Sequence, residues 1–290
     1  MKEIVCISGK GGTGKSSVVA ALSWIAKDNL VVADCDVDAA DLHLIFSPLP
    51  RKSEDFFSGV KAVIDPAMCA ACGLCADKCR FDAITKSDAG YRVLPLDCEG
   101  CAYCYHLCPV EAIRLEEQNV GQCFLSDTRY GCSLVHARLD IGADNSGKLV
   151  AKVKHEAQAL AKTEAKDFIL VDGSPGIGCP VISSLSGADA VLMVTEPSLS
   201  AHSDLARLWE LIQKFRIPAA CIINKADINP RITAGIKTWL MHEGIRHLAD
   251  LDYDQDFQKA ITAGKNVVEE NNAKWQPVFA EIWNAIKEIR

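Results

Sequence analysis

Residues 3–17 read EIVCISGKGGTGKSS. EIVCIS (3–8) is a short apolar run of the kind that forms a buried parallel strand. A glycine-rich loop follows, Gly9, Lys10, Gly11, Gly12, Thr13, Gly14, Lys15, Ser16 and Ser17, and then VVAALSWIAK (18–27) with helical spacing. Strand, loop and helix in that order form the P-loop arrangement. Glycines let backbone N–H groups turn towards phosphates, and the helix N-terminus adds positive potential. Lys15 is expected to reach the β- and γ-phosphates of a nucleotide, and the Ser16 hydroxyl to bind Mg²⁺.

Other segments supply the walls of such a site. LVVADCDVDAADLHL (30–44) is a second strand carrying Asp34, Asp36 and Asp38. Asp38 and Asp41 are read as helix N-terminal caps. In DFILVDGSPGIG (167–178), FILV is a buried strand and Asp172 at its end is placed to hold Mg²⁺ through water. AACIINKAD (219–227) ends in Asn224, Lys225, Ala226 and Asp227, which fits N-K-x-D, a guanine-reading segment in many GTPases. TEPS (195–198) is a further candidate for the base pocket. Strands at 167–172, 189–195, 218–224 and about 245–251 alternate with helices. That order predicts a mainly parallel sheet covered on both faces.

The cysteines point to a second chemistry. There are fourteen, and eight lie between positions 69 and 108. CAACGLCADKC (69–79) holds Cys69, Cys72, Cys75 and Cys79; CEGCAYCYHLCP (98–109) holds Cys98, Cys101, Cys104 and Cys108. Both read C-x₂-C-x₂-C-x₃-C, the bacterial ferredoxin run, in which the fourth ligand serves the other cluster. One [4Fe–4S] cluster is therefore expected on Cys69, Cys72, Cys75 and Cys108, and a second on Cys98, Cys101, Cys104 and Cys79. Zinc sites pair C-x₂-C or His units instead of such triplets. CRFDAI (79–84) mirrors CPVEAI (108–113), with Arg80 where the second half has Pro109. The expected organisation is a first nucleotide-domain part at 1–60, a cluster module at 61–117 and a second part at 118–290.

Composition narrows the function. The 290 residues are 49% hydrophobic, enough for a large core, and the net charge is −7. Nucleic-acid binding is not expected, since phosphate neutralisation needs clustered Lys and Arg. No apolar run is long enough to span a membrane. The first residues read as a core strand and not a signal peptide, so a cytoplasmic location is expected. WQPVFAEIWNAIKEIR (275–290) carries apolar residues at helical spacing, with Glu281 and Glu288 offsetting Lys287 and Arg290. Packing on the domain is expected there, not membrane binding. ADNSGKL (143–149) is read as a turn running into a helix, and His136 as a core or edge histidine. Cys123 and Cys132 define no site. Cys179 is read as a small helix-start residue, with Cys35 its evident partner if it were a ligand across a dimer axis.

The loop K-G-G-x-G-K-S resembles the deviant Walker A motif of the MinD/Mrp/ParA ATPases, a group that includes dinitrogenase reductase. With the cysteine block, the chain resembles MinD-superfamily ATPases that contain an inserted ferredoxin domain. The resemblance implies an α/β, three-layer P-loop fold interrupted by a small α+β module. It implies that Lys10 reaches the nucleotide of a partner subunit, that Asp36 orients the attacking water, and that the Gly176 N–H meets the γ-phosphate. It assigns an adenine contact to Asn224 and so favours ATP over GTP; Asp227 completes that segment. The expected activity is ATP binding and hydrolysis with ATP-dependent homodimerisation, coupled to electron transfer through the clusters. Two alternatives remain open: an iron–sulfur carrier or assembly ATPase of Mrp type, and a MinD/ParA-like positioning ATPase with redox-sensing clusters. A redox or iron–sulfur client protein is implied but not identified.

Overall fold

The structure is a computed structural model that describes residues 1–140 and 146–289. In chain order the elements are β1 (Lys2–Ile7), α1 (Lys15–Ala26), β2 (Leu30–Cys35), α2 (Leu42–Phe46), β3 (Leu49–Ile64), α3 (Leu74–Asp77), β4 (Ile84–Ser87), β5 (Gly90–Val93), α4 (Tyr103–Leu107), β6 (Ile113–Asp127) and β7 (Ser133–Leu139). They continue with α5 (Ser146–Thr163), β8 (Phe168–Gly173), α6 (Cys179–Leu185), β9 (Ala190–Thr195), α7 (Leu199–Phe215), β10 (Ala219–Asn224), α8 (Pro230–His242), β11 (Arg246–Leu251), α9 (Gln255–Thr262), α10 (Val267–Glu270) and α11 (Asn272–Lys287).

The central strands β2 and β9 are buried along their whole length. Continuous apolar runs of this kind suit parallel strands covered on both faces. The main sheet runs β11-β10-β9-β1-β8-β2-β7-β6-β3. Pairing is parallel from β11 across to β7. In that register Cys6 and Asp34 both sit opposite Asp172. The loops leaving β1, β2 and β8 therefore emerge side by side at the carboxyl ends of the strands, where open α/β sheets bind ligands.

The strand beginning at Leu30 ends at Cys35, well short of residue 44. Asp36 opens a turn in which the Ala39 N–H donates to its carbonyl at 3.0 Å. Asp38 lies in that turn and not at a helix start, which corrects the capping expectation. Asp41 does occupy the N-cap position of α2, but its side chain makes no capping hydrogen bond. The helix expected after the polar loop is α5; residues 143–145 of that stretch lie outside the described residues.

α11 buries Trp275, Phe279, Ile282, Trp283 and Ile286 in the same core as Val18, Val19 and Leu22 of α1. The Trp283 ring meets Phe168 edge-on at 5.2 Å. Burying each large apolar side chain contributes about 1.5–3 kcal/mol, so the apolar stripe of this helix is spent on the domain, as expected. No helix among the described residues is long and apolar enough to cross a membrane. His136 is a half-buried histidine of β7: its Nε2 lies 2.9 Å from Ser126 Oγ and its ring stacks on Phe124.

The chain divides into two compact units. Of the described residues, the larger holds 1–54, 122–140 and 146–289, and the smaller holds Asp55–Gly121. Within the smaller unit β4 and β5 pair antiparallel. Ala62, Ile64, Ile84 and Ile113 form its small core, with Cys69, Cys75, Cys79, Cys98, Cys104 and Cys108 packed against it. The two halves repeat in backbone as well as sequence. Ala71 and Gly100, Gly73 and Ala102, and Asp82 and Glu111 occupy matching places and all take positive φ, between 51° and 80°.

Candidate nucleotide and cluster sites

α1 begins at Lys15 with Gly14 at its N-cap, no side-chain cap and no acidic residue in its first turn. Its leading N–H groups are therefore left for an anion. Gly14 has φ 92° and lies so close to Asn224 that a Cβ would run into the carboxamide. The Thr13 hydroxyl oxygen is buried without a partner. A loop with uncapped donors and an orphan buried hydroxyl fits a phosphate-bearing ligand.

Lys15 is nearly buried, and its Nζ lies 2.5 Å from Asp172 Oδ1, 3.3 Å from Asp36 Oδ2 and 3.5 Å from Ser16 Oγ. Burial alone would pull its pKa down, but the carboxylates of Asp172 and Asp36 outweigh that and hold it above the usual lysine value. Asp34 is buried beside them. Its Oδ1 accepts the Asp36 N–H at 3.1 Å, while its Oδ2 has no partner. Burial, then the neighbouring Asp172, pushes the Asp34 carboxyl well above the carboxylate range. Burial also pushes Asp36 upward, against the pull of Lys15. The structure thus brings Lys15, Ser16, Asp36 and Asp172 together at one point.

Lys10 is held elsewhere. Its Nζ lies 2.7 Å from Glu196 Oε1 and donates to Ser198 Oγ at 3.2 Å and Ser200 Oγ at 3.3 Å. The other oxygen of Glu196 takes Lys225 at 2.8 Å, and Lys225 also donates to the Gly12 carbonyl at 3.1 Å. Burial would raise the Glu196 carboxyl, but hydrogen bonds from the two lysines hold it below its ordinary value. TEPS is expected from sequence near the base, and this clamp is not legible there. The available signal was an acid at a strand end opposite a loop with two lysines.

Three further expected residues are engaged within the chain. The Gly176 N–H donates to the Ser8 carbonyl at 2.9 Å. Asn224 donates through Nδ2 to the Thr13 carbonyl at 2.8 Å and accepts the Lys225 N–H at 3.0 Å, so it braces the loop. Asp227 is exposed and accepts the Tyr253 N–H through Oδ1 at 2.6 Å. Cys35 is wholly buried, with burial pushing its thiol well up, whereas Cys179 is exposed. That difference leaves the two without a shared surface for a ligand pair.

In the smaller unit none of the eight cysteines is in a disulfide. A cavity of about 300 Å³ is lined by Cys79, Cys98, Cys101 and Cys104, and also by Cys75, which lines both cavities. A second, narrower cavity is lined by Cys69, Cys72, Cys75 and Cys108. Cys79 and Cys108, the fourth cysteines of their runs, have each crossed to the other run's cavity. Gly90, with φ 108°, would place a Cβ 3.0 Å from Cys69 Sγ. The Ala112 N–H donates to Cys108 Sγ at 3.3 Å, a contact of the kind that tunes cluster potentials. Four sulfurs around a cavity fit an iron–sulfur cluster. Among the described residues no three His, Cys, Asp or Glu side chains form a site for a single metal ion.

Over 293 residues, 99% of this chain and 97% of the other, the sequence is 32% identical to the uncharacterized protein MJ0578 of Methanocaldococcus jannaschii. The chain belongs to the MJ0578 family. Within this member, residues 62–115 match the 4Fe-4S dicluster domain. The septum site-determining protein MinD of Pyrococcus horikoshii, solved as its Mg-ADP complex, superposes with a TM-score of 0.59 at 16% identity, covering 99% of this chain and 96% of that one. The cell division ATPase MinD of Pyrococcus furiosus gives 0.57 at 18% identity, covering 99% of both. The fold is thus that of the MinD/ParA P-loop ATPases, carrying a 4Fe-4S dicluster domain.

Proposed function

We propose that this MJ0578-family protein binds and hydrolyses ATP, and that ATP-dependent homodimerisation is coupled to electron transfer through two [4Fe–4S] clusters. The observation that carries the nucleotide half is the meeting of Lys15, Asp172, Asp36 and Ser16 at the loop with uncapped donors. Lys15 holds the place of the phosphate-binding lysine, and its present carboxylate partners keep it charged until a phosphate replaces them. Ser16 and Asp172 would hold Mg²⁺, which supplies charge neutralisation at the phosphates. Asp36 orients a water, and burial near Lys15 keeps its carboxyl poised. Lys10 leaves Glu196 to serve the partner's nucleotide, and the Gly176 N–H leaves Ser8 to meet the γ-phosphate. Asn224 fixes the base side of the loop and Asp227 stands at its exposed edge. Cys69, Cys72, Cys75 and Cys108 form one ligand set, and Cys79, Cys98, Cys101 and Cys104 the other.

Sedimentation with and without Mg-ATP tests the dimer. The wild-type chain should shift from monomer to dimer with ATP, and Lys10→Ala should not. A chain that stays monomeric under saturating ATP would defeat this reading.

A further inference from the structure

The internal repeat supplies its own control. The two halves share cysteine spacing and the same positive-φ positions, so differences between their cavities come from side chains. The residue after each crossing cysteine lines the cavity that cysteine enters: Arg80 beside Cys79, and Pro109 beside Cys108. The cavity with Pro109 has no charged side chain in its lining. The cavity with Arg80 has three, Lys78, Arg80 and Glu99. Lys78 is paired with Asp77 at 2.9 Å. Arg80 makes no ion pair among the described residues, and it keeps a backbone N–H where Pro109 has none.

We propose that Arg80 makes the two clusters unequal: the one on Cys79, Cys98, Cys101 and Cys104 has the higher reduction potential and holds the first electron. This rests on the two-cluster reading above. Reduction adds a negative charge to a cluster already anionic with its four thiolates. A guanidinium at the cavity wall stabilises the reduced form more than the oxidised one. Glu99 acts in the opposite sense, and its partner position in the other half is the uncharged Ala70. Two cationic side chains and one anionic one line the Arg80 cavity, and the other cavity offers no charge of either sign.

The test is an anaerobic EPR-monitored redox titration of the full chain, with iron counted in each preparation. Wild type should show two separated midpoints. Arg80→Gln should lower the higher midpoint, leave the lower one nearly in place and narrow the gap, while Arg80→Lys should retain it. Glu99→Gln should widen the gap, and salt should weaken both effects because the groups are exposed. A gap unchanged in Arg80→Gln, or one that widens because the lower midpoint falls, overturns the proposal. A fully reconstituted preparation holding only about four irons per chain overturns the two-cluster reading and this proposal with it.

Discussion

Glu196 joins Lys10 to Lys225, one lysine on each carboxylate oxygen, at 2.7 and 2.8 Å. The lysine that the P-loop resemblance assigns to a partner's nucleotide is therefore held within its own chain. Glu196→Gln should free it. In the nucleotide-free protein, the Lys10 amine should become roughly three-fold more reactive towards an acylating reagent, in line with a partly exposed ion pair. Peptide mass spectrometry reads this directly, and Lys2 on the same peptide map serves as an internal reference.

Lys15 offsets the neighbouring carboxylates of Asp172 and Asp36. Lys15→Gln should destabilise the nucleotide-free protein by about 3 kcal/mol, the scale for breaking a buried pair. It should also abolish the stabilisation that Mg-ATP gives wild type. Urea unfolding with and without Mg-ATP measures both effects. Equal stability of variant and wild type would mean the Lys15–Asp172 contact contributes nothing.

The grouping of cysteines by cavity predicts how variants pair. Cys79→Ala should lose the same EPR signal as Cys98→Ala, although Cys79 lies in the other sequence run. Cys69→Ala and Cys108→Ala should share loss of the second signal. Each single variant should retain about half the wild-type iron.

Burial, with a smaller push from His43, lowers the His136 pKa to about 4 from its usual 6.5. The unfolded chain then binds the proton first. Stability is unaffected above about pH 6.5 and falls as pH drops towards about 4, by up to roughly 3 kcal/mol. Denaturation at pH 7 and pH 4.5 should show this loss in wild type, and a smaller one in His136→Gln.

Much of this architecture was legible because local sequence carries it. IVCI (4–7) and FILV (168–171) are continuous apolar runs, and the loop between β1 and α1 repeats glycine where backbone must face a ligand. The cysteine runs state their own spacing. Contacts between distant segments were not legible. Glu196 and Lys10 are separated by most of the domain, and only the β9–β1 pairing brings them near. Asn224 and Gly176 are expected from sequence to contact a nucleotide, yet their hydrogen bonds go to Thr13 and Ser8, because polar groups away from water take the partners within reach. Asp41 has capping chemistry and capping position without the bond. Residue type and place allow such a contact; the side-chain rotamer decides it.

The proposed function links nucleotide state to cluster state. EPR spectra and midpoint potentials of the reduced, anaerobically prepared protein, recorded with and without Mg-ATP, test it most directly. Linkage requires about eight irons per chain and a change in at least one cluster signal or potential on adding Mg-ATP, absent in Lys15→Gln. Identical spectra and potentials with and without bound nucleotide, in a preparation holding both clusters, would contradict it.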